Sequence, residues 1–195
     1  MSRPESHMSL EKLQLDTTLS RRKFLMGMAV SVAGSLLIPT TEAQARMARP
    51  RVLSFYNTHT REQLDIEYSP YGRVDLTSHR QLNYLLRDHR TDRISSMDPA
   101  LIDILFGVAL ATGSRGAFEV ISGYRSPESN ARLRRASAGV AKYSLHMLGK
   151  AIDVRLSDVS TRALQRAAIR LRRGGVGYYR SSDFVHLDTG RVRYW

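Results

Sequence analysis

Two segments in the second half of the 195-residue chain combine histidine and aspartate at spacings that suit a metal site. The first, residues 144–153, contains His146 and Asp153, and the second, residues 183–188, contains His186. The chain has no cysteine, so any metal held by its side chains must use histidine, aspartate or glutamate. Two histidines and one aspartate are plausible ligands of a zinc site that keeps a fourth position for water.

The alternation of side chains along a strand predicts which of these groups face the same way. Within the apolar segment 151–154, Asp153 shares a face with Ala151. Within the second predicted strand, 184–188, His186 and Asp188 share one face. An ionised carboxylate in an apolar strand needs a cationic partner, and for Asp153 an arginine or a metal ion can fill that role.

The elements that would position these segments are a mixture of strands and helices. Apolar spacing and capping residues predict two strands within 51–68 joined by a turn at 58–61, then a helix starting near 75–77 and a helix over 98–113. A strand at 118–121, a helix at 127–136 and a strand at 151–154 are predicted to follow. The last predicted helix covers about 158–172, is capped by Ser157 or Asp158 and is ended by the glycines at 174 and 175, and strands at 176–180 and 184–188 follow it. Because strict βαβ alternation is missing, we expect an α+β fold whose central sheet is mostly antiparallel, with flanking helices.

The first 45 residues have the pattern of an export signal. Paired arginines at 21–22 precede a thirteen-residue apolar run at 26–38 and an Ala-Gln-Ala site at 43–45. The run is shorter than the roughly 20 apolar residues of a membrane span, and the paired arginines resemble a bacterial twin-arginine signal. We predict cleavage after residue 45, a domain over 46–195 and a periplasmic location. An uncleaved signal would tether the protein to the inner membrane, and a buried amphipathic helix is the alternative interpretation.

The strongly basic composition predicts an anionic partner. The formal net charge is +12, and removal of five basic and four acidic residues with the signal leaves 25 and 14, or +11. Nucleic acid, a membrane surface and an acidic polymer all fit this charge. The export signal and the lack of an aromatic–basic recognition motif argue against nucleic acid. Six arginines are interpreted first as solvated helix faces and second as a polyanion-binding surface: Arg132, Arg134, Arg135, Arg170, Arg172 and Arg173.

Three motifs together resemble a known group of zinc peptidases. The chain reads S-G-Y-R at 122–125, S-x-H-x-x-G-x-A-x-D at 144–153 and D-x-x-H at 183–186. This order resembles the zinc D-alanyl-D-alanine peptidases, which share a fold group with lysostaphin-type enzymes and the hedgehog signalling domain. Within that group, residues 50–195 resemble an exported murein endopeptidase branch with a twin-arginine signal. The resemblance implies a hedgehog/D-Ala-D-Ala peptidase-like fold.

The resemblance also implies roles for particular residues. His146, Asp153 and His186 match the ligands of a single zinc ion. Arg125 matches the arginine that stabilises negative charge on the substrate carbonyl. Ser144 and Tyr124 lie within the motifs and are candidates for substrate binding.

Two aspartates compete for the role of general base. Asp183 occupies the position of a family glutamate three residues before the last histidine ligand, but is one methylene shorter. Asp188 shares a strand face with His186 and is the rival, either as a base or as a partner of that histidine. We favour Asp183 slightly.

These implications predict a zinc-dependent peptidoglycan peptidase that hydrolyses peptide cross-links by metal-activated water. Endopeptidase action ranks above D,D- or L,D-carboxypeptidase action, and the stereochemistry of the cleaved bond stays open. We expect peptidoglycan as the partner, no nucleic acid, and a monomer. The alternative is a non-catalytic, zinc-containing module that binds cell wall or protein, because a fold does not fix a function.

Overall fold

Residues 51–68, 75–137 and 139–195 are described by the computed structural model. Residues 1–45, with the predicted signal, lie outside them. The strands are β1 (Arg51–Asn57), β2 (Gln63–Tyr68), β3 (Phe118–Ser122), β4 (Ala151–Leu156), β5 (Gly175–Tyr179), β6 (Phe184–Asp188) and β7 (Arg193–Tyr194). The helices are α1 (Leu76–Leu85), α2 (Pro99–Thr112), α3 (Pro127–Ala136) and α4 (Thr161–Leu171), with short 3₁₀ turns at Leu145–Leu148 and Arg180–Ser182. The α+β class predicted from the sequence is confirmed.

The strands form one mixed sheet in the order β2-β1-β3-β4-β6-β5-β7. Four of its pairings are antiparallel, but β1 pairs with β3 and β5 pairs with β7 in parallel. The expectation of a mostly antiparallel sheet is therefore wrong. Parallel neighbours need a crossover connection, and the chain makes one when it leaves β2, passes through α1 and α2, and returns beside β1.

Helix α4 starts and ends at different residues from those predicted. Its N-cap is Ser160, whose hydroxyl accepts the Ala163 N–H at 3.3 Å. Asp158 instead binds the turn before β3, accepting the Ser114 hydroxyl at 2.6 Å and two backbone N–H groups. The helix ends at Leu171 because Arg172 takes a left-handed conformation, so neither predicted cap nor the predicted glycine stop is used.

The sheet separates the hydrophobic core from the functional face. Ile152 and Val154 of β4 lie in the core together with Leu164 of α4 and Leu105 of α2. Asp153 lies between the two core residues of β4 and therefore points to the opposite face. A one-residue slip of β4 would bury that carboxylate in the core, so the apolar pattern fixes the register. Of the helices in the described part of the chain, none has the length and hydropathy to cross a membrane.

Candidate metal centre and cleft

Strands β4 and β6 bring two of the predicted ligands directly opposite each other. In their antiparallel register Asp153 pairs with His186. The Nδ1 atom of His186 lies 2.8 Å from Oδ1 of Asp153, and both side chains are buried. The two segments that are 33 residues apart in sequence thus form one site.

The third predicted ligand comes from the 3₁₀ turn before β4. Ser144 caps this turn through its hydroxyl, and Gly149 ends it at φ +66°. The turn places Nε2 of His146 at 3.3 Å from Asp153 Oδ1 and 3.2 Å from His186 Nδ1. On the other side of the ring, Nδ1 lies 2.7 Å from the carbonyl oxygen of Gly123. Because a carbonyl only accepts, Nδ1 carries the proton and Nε2 keeps a lone pair for a metal.

The second histidine is oriented by Asp188. Its Nε2 donates to Oδ2 of Asp188 at 3.0 Å, so Nδ1 is the nitrogen that faces Asp153 and becomes a ligand atom once it loses its proton. Asp188 is fully buried and accepts from both terminal nitrogens of Arg193, at 2.6 and 3.0 Å. The backbone N–H groups of Gly175 and Gly190 also donate to it. A carboxylate held in this way fixes the tautomer and orientation of a ligating imidazole.

The donor set fits a single divalent metal ion. The ligand atoms of His146, Asp153 and His186 all lie within 4.8 Å of one another, and all three residues are buried. Two imidazole nitrogens and one carboxylate oxygen suit zinc and related ions. The structure therefore brings the three predicted ligands together in a group that can bind a metal.

Before a metal binds, the electrostatics of the cluster favour a protonated His186 between ionised Asp153 and Asp188. Burial opposes the imidazolium form of His186, but hydrogen bonds to Asp153 and Asp188 outweigh it and raise its pKa to about 9. Burial likewise opposes the ionised form of Asp153, yet the neighbouring His146 and His186 hold its pKa well below the usual range. The pKa of Asp188 is also lowered, because hydrogen bonds from His186 and Arg193 outweigh its burial. A metal ion that binds here displaces a proton from the cluster.

Arg125 lies beside the cluster at the base of a cleft. Its Nη2 is 3.7 Å from Asp153 Oδ2 and 3.4 Å from the hydroxyl of Ser122. Its backbone N–H donates to the carbonyl of His146, which ties the arginine to the 3₁₀ turn. Among the described residues, its buried Nε has no hydrogen-bond partner. A guanidinium fixed in this way at the cleft can stabilise an oxyanion there.

The cleft has a volume of about 300 Å³ and is lined on two sides. One wall is the segment before and around His146, including Tyr143 and the predicted Ser144. The other wall is aromatic and was missed by the sequence analysis: Tyr179, Phe184 and Trp195 line it, together with Arg193. Tyr179 stacks on Phe184 with ring centres 4.6 Å apart, and the indole N–H of Trp195 donates to the Tyr179 hydroxyl at 3.1 Å.

One signal for the aromatic wall was present in the Gly-Val-Gly-Tyr-Tyr segment. Gly177 lies opposite His186 in the β5–β6 register. A Cβ atom at Gly177 would collide with the indole of Trp195, whose ring centre lies 5.3 Å from that of His186. The glycine leaves room for the tryptophan next to a ligand, but the sequence does not show that Trp195 returns to β5.

Tyr124 lies away from the cleft. It packs against the hydrophobic core, and its backbone N–H donates to the carbonyl of Leu86 at 2.7 Å. Among the described residues that line the cleft, Tyr124 is missing, so its predicted contact with substrate has no geometric support.

Neither candidate for the general base lines the cleft in this arrangement. Asp183 is exposed and accepts the hydroxyl of Thr161 at 2.8 Å, and its other oxygen lies 3.8 Å from Arg155. Asp188 lies behind His186, where its oxygens accept from Arg193 and two backbone N–H groups. The structure thus places Asp183 beside α4 and makes Asp188 the hydrogen-bond partner of the predicted ligand His186.

A buried His–Asp–His cluster beside an arginine, at an open cleft, has the side chains that a metallohydrolase-type centre requires. Residues 45–195 match the peptidase M15 family model described as peptidoglycan L,D-endopeptidase MepK. The chain belongs to this peptidase family, which confirms the resemblance to murein endopeptidases.

Two curated relatives cover nearly the whole chain. The probable peptidoglycan L,D-endopeptidase MepK of Haemophilus influenzae is 41% identical over 177 residues, which are 90% of this chain and 95% of that protein. The peptidoglycan L,D-endopeptidase MepK of Escherichia coli K12 is 38% identical over 176 residues, covering 90% and 97% of the two chains. No solved structure matches the chain significantly.

Proposed function

We propose that this protein is a zinc-dependent murein endopeptidase that hydrolyses an L,D peptide bond in peptidoglycan cross-links. The observation that carries the proposal is the His146–Asp153–His186 group, in which one nitrogen of each imidazole is directed at Asp153. The choice of an L,D bond rests on the names of the relatives in Haemophilus influenzae and Escherichia coli.

The residues of the proposed site have separate roles in the reaction. A bound zinc ion supplies Lewis acidity, which polarises a carbonyl and lowers the pKa of water. His146, Asp153 and His186 hold the ion. Arg125, which lines the cleft beside Asp153, binds the carbonyl oxygen as it gains negative charge.

The cleft walls orient the peptide so that the reacting bond lies at the candidate metal site. Ser144 and Tyr143 contact substrate from one side, and Trp195 does so from the other. The aromatic wall offers flat apolar surface to the aliphatic parts of a stem peptide, while Arg125 offers positive charge to its carboxylates.

Asp183 is our candidate for the general base, and Asp188 is a positioning residue. Asp188 uses both oxygens for hydrogen bonds and has a strongly lowered pKa, so it is a poor proton acceptor near neutral pH. Asp183 must exchange its hydrogen bond with Thr161 to reach the cleft. We expect Asp183→Asn to lower kcat by about 10²–10⁴-fold with unchanged zinc content. Unchanged kcat in that variant would exclude Asp183 as the general base.

Residues 1–45 support a proposal about location. The paired arginines, the apolar run and the Ala-Gln-Ala site favour export of the folded domain to the periplasm, with cleavage after residue 45. There the protein would act on peptidoglycan as a monomer, without nucleic acid. Cell fractionation with amino-terminal sequencing of the mature protein tests this proposal, and a cytoplasmic, uncleaved product would overturn it.

The activity is tested with defined cross-linked muropeptides and mass spectrometry of the products. We expect the zinc-loaded full chain to cut the L,D bond and His146→Ala to release no product. His79→Ala is the matched control, since His79 bonds the Met97 carbonyl and not the cluster. Equal product release by wild type and His146→Ala would refute the proposal. Zinc and sacculus binding without any release would identify a non-catalytic wall-binding module instead.

A further inference from the structure

Helix α4 carries a row of arginines that the proposed peptidase site does not use. Arg162, Arg166 and Arg170 are spaced by four residues, and Arg172 and Arg173 follow the end of the helix. All five side chains are exposed. Residues 161–173 contain no acidic residue and no lysine. We call these five residues the α4 arginine row.

The helical part of the row is concentrated on one face, and no acidic side chain of the described residues neutralises the row. At about 100° per residue, the three helical arginines fall within an arc of about 80° and span about 12 Å. Within the described part of the chain, none of the five forms an ion pair. Five other arginines do so: Arg87, Arg93, Arg125, Arg155 and Arg193. The positive charge of the row is therefore available to an external partner.

The row points away from the cleft. The opposite side of α4 buries Leu164 and Ala167 in the same core cluster as Ile152 and Val154 of β4. Asp153 projects from the other face of that strand and belongs to the metal cluster. The sheet thus lies between the three helical arginines and the cleft, so a stem peptide bound in the cleft does not reach them.

The neighbouring helix adds apolar surface beside the row. Helices α2 and α4 pack closely, since a Cβ atom at Gly107 would lie 3.1 Å from the side chain of Leu171. Leu110 follows three residues after Gly107 and is 74% exposed. Helix α2 contributes one carboxylate, Asp103, so the combined surface stays strongly positive. An exposed leucine beside cationic groups can enter the headgroup region of a membrane.

We infer that the α4 arginine row docks the domain on an anionic phospholipid membrane. Guanidinium groups bind phosphate oxygens with paired hydrogen bonds, and a row composed only of arginine suits lipid phosphates. A flat anionic surface also fits the convex outer face of a helix. Docked in this way, the domain keeps its cleft open on the side that faces away from the membrane.

The test compares two triple variants of the full chain that lose the same charge. One is Arg162→Gln/Arg166→Gln/Arg170→Gln, and the control is Arg80→Gln/Arg134→Gln/Arg135→Gln at exposed arginines elsewhere. Binding is measured by co-sedimentation with vesicles of phosphatidylglycerol and phosphatidylethanolamine, and with neutral phosphatidylcholine vesicles. Residues 1–45 are the same in both variants, so their own affinity for lipid cancels.

We expect the α4 variant to bind anionic vesicles on the order of 100-fold more weakly than wild type, and the control to change far less. Added salt should remove most of the difference. Equal weakening in both variants would mean a general charge effect and would overturn the proposal, as would unchanged binding. Loss of binding to purified sacculi but not to vesicles would assign the row to the wall polymer instead. Cleavage of soluble muropeptides is measured in parallel, so failure of membrane docking and failure of the proposed peptidase activity are read separately.

Discussion

At the scale of single residues, the candidate site depends on groups that never touch the metal position. His186 can offer its Nδ1 lone pair because Asp188 accepts the proton of Nε2. Asp188 can do so while buried because Arg193 and two backbone N–H groups balance its charge. His146 depends in the same way on the carbonyl of Gly123. The ligand set is therefore positioned by hydrogen bonds from β5, β7 and the loop after β3.

We predict that Asp188→Asn weakens zinc binding by about 10–100-fold, as expected when the partner of a ligating histidine is changed. Both oxygens of Asp188 accept hydrogen bonds, but in asparagine one of them is replaced by an NH₂ group that can only donate. That NH₂ group would face an N–H group of His186 or Arg193 and displace its side chain. Competition with a chelating dye measures the affinity. Asp183→Asn is the control, because Asp183 contacts Thr161 and not the cluster. Equal zinc affinity for wild type and Asp188→Asn would contradict this assignment.

A second prediction at this scale concerns His89, which stacks on His59 at 3.8 Å. Burial, Arg90, His59 and Arg125 lower the pKa of His89 to about 4, against the opposing effect of Asp88. The unfolded chain, with a pKa near 6.5, binds more protons between pH 4 and 6.5. The effect of His89 on the free energy of unfolding is therefore most favourable above pH 6.5, and the free energy of unfolding falls as the pH drops towards 4.

We expect urea unfolding of wild type to lose more stability between pH 7 and pH 5 than that of His89→Gln. The difference should be about 1 kcal/mol or less, because the half-buried ring is partly screened by solvent. Identical pH dependence in the two proteins would show that the environment of His89 does not disfavour its charged form.

At the scale of elements, the 3₁₀ turn at 145–148 decides whether His146 reaches the sheet. Gly149 ends this turn at φ +66°, and a Cβ atom there would collide with the carbonyl oxygen of Ser96. Gly113 ends α2 at a similar φ of +69° but has open space around it. The two glycines therefore share a backbone requirement and differ only in crowding.

This contrast gives a matched pair of variants. We expect Gly113→Ala to cost about 1–2 kcal/mol, the price of a left-handed alanine. Gly149→Ala should cost about 1–3 kcal/mol more because of the collision, and should also weaken zinc binding by displacing His146. Chemical denaturation and chelator competition measure the two effects. Equal destabilisation by both variants would argue against a role for close packing at Gly149.

At the scale of the whole molecule, the candidate metal site links segments that lie far apart in sequence. The ligands come from the 3₁₀ turn, β4 and β6, and their supporting groups come from the loop after β3 and from β7. Binding of a metal to this folded arrangement must therefore stabilise the whole domain relative to the unfolded chain.

We predict that zinc at 100 times its dissociation constant raises the free energy of unfolding by about 2.7 kcal/mol, and that a chelator reverses the gain. His146→Ala should lose this response, whereas His79→Ala should keep it. Thermal or urea unfolding with and without zinc measures the effect. A zinc response that survives in His146→Ala would place the stabilising ion elsewhere.

The accuracy of the sequence predictions differs between local and non-local features. Helix α2 begins at Pro99 directly after the N-cap Asp98 and ends before Gly113, as its capping residues predict. Helix α4 was placed too early because Asp158 binds the distant Ser114 turn and leaves capping to Ser160. The short strand β7 was not predicted, since a two-residue strand has no periodicity of its own.

The sequence by itself determined which residue types are available and which way local elements turn them. It supplied no cysteine, two histidines and an aspartate in ordered motifs, and an apolar alternation that exposes Asp153 on one face of β4. These features depend on covalent spacing and strand periodicity, which are local.

Only the tertiary structure decided that β4 lies beside β6 with Asp153 opposite His186, and that two strand pairings are parallel. It also shows that Asp188 bonds His186, that Asp183 bonds Thr161 and that Trp195 lines the cleft. Each of these contacts joins segments whose meeting depends on how the whole sheet is ordered. Pairing between distant strands is selected by the packing of the complete core, and no short stretch of sequence contains that information.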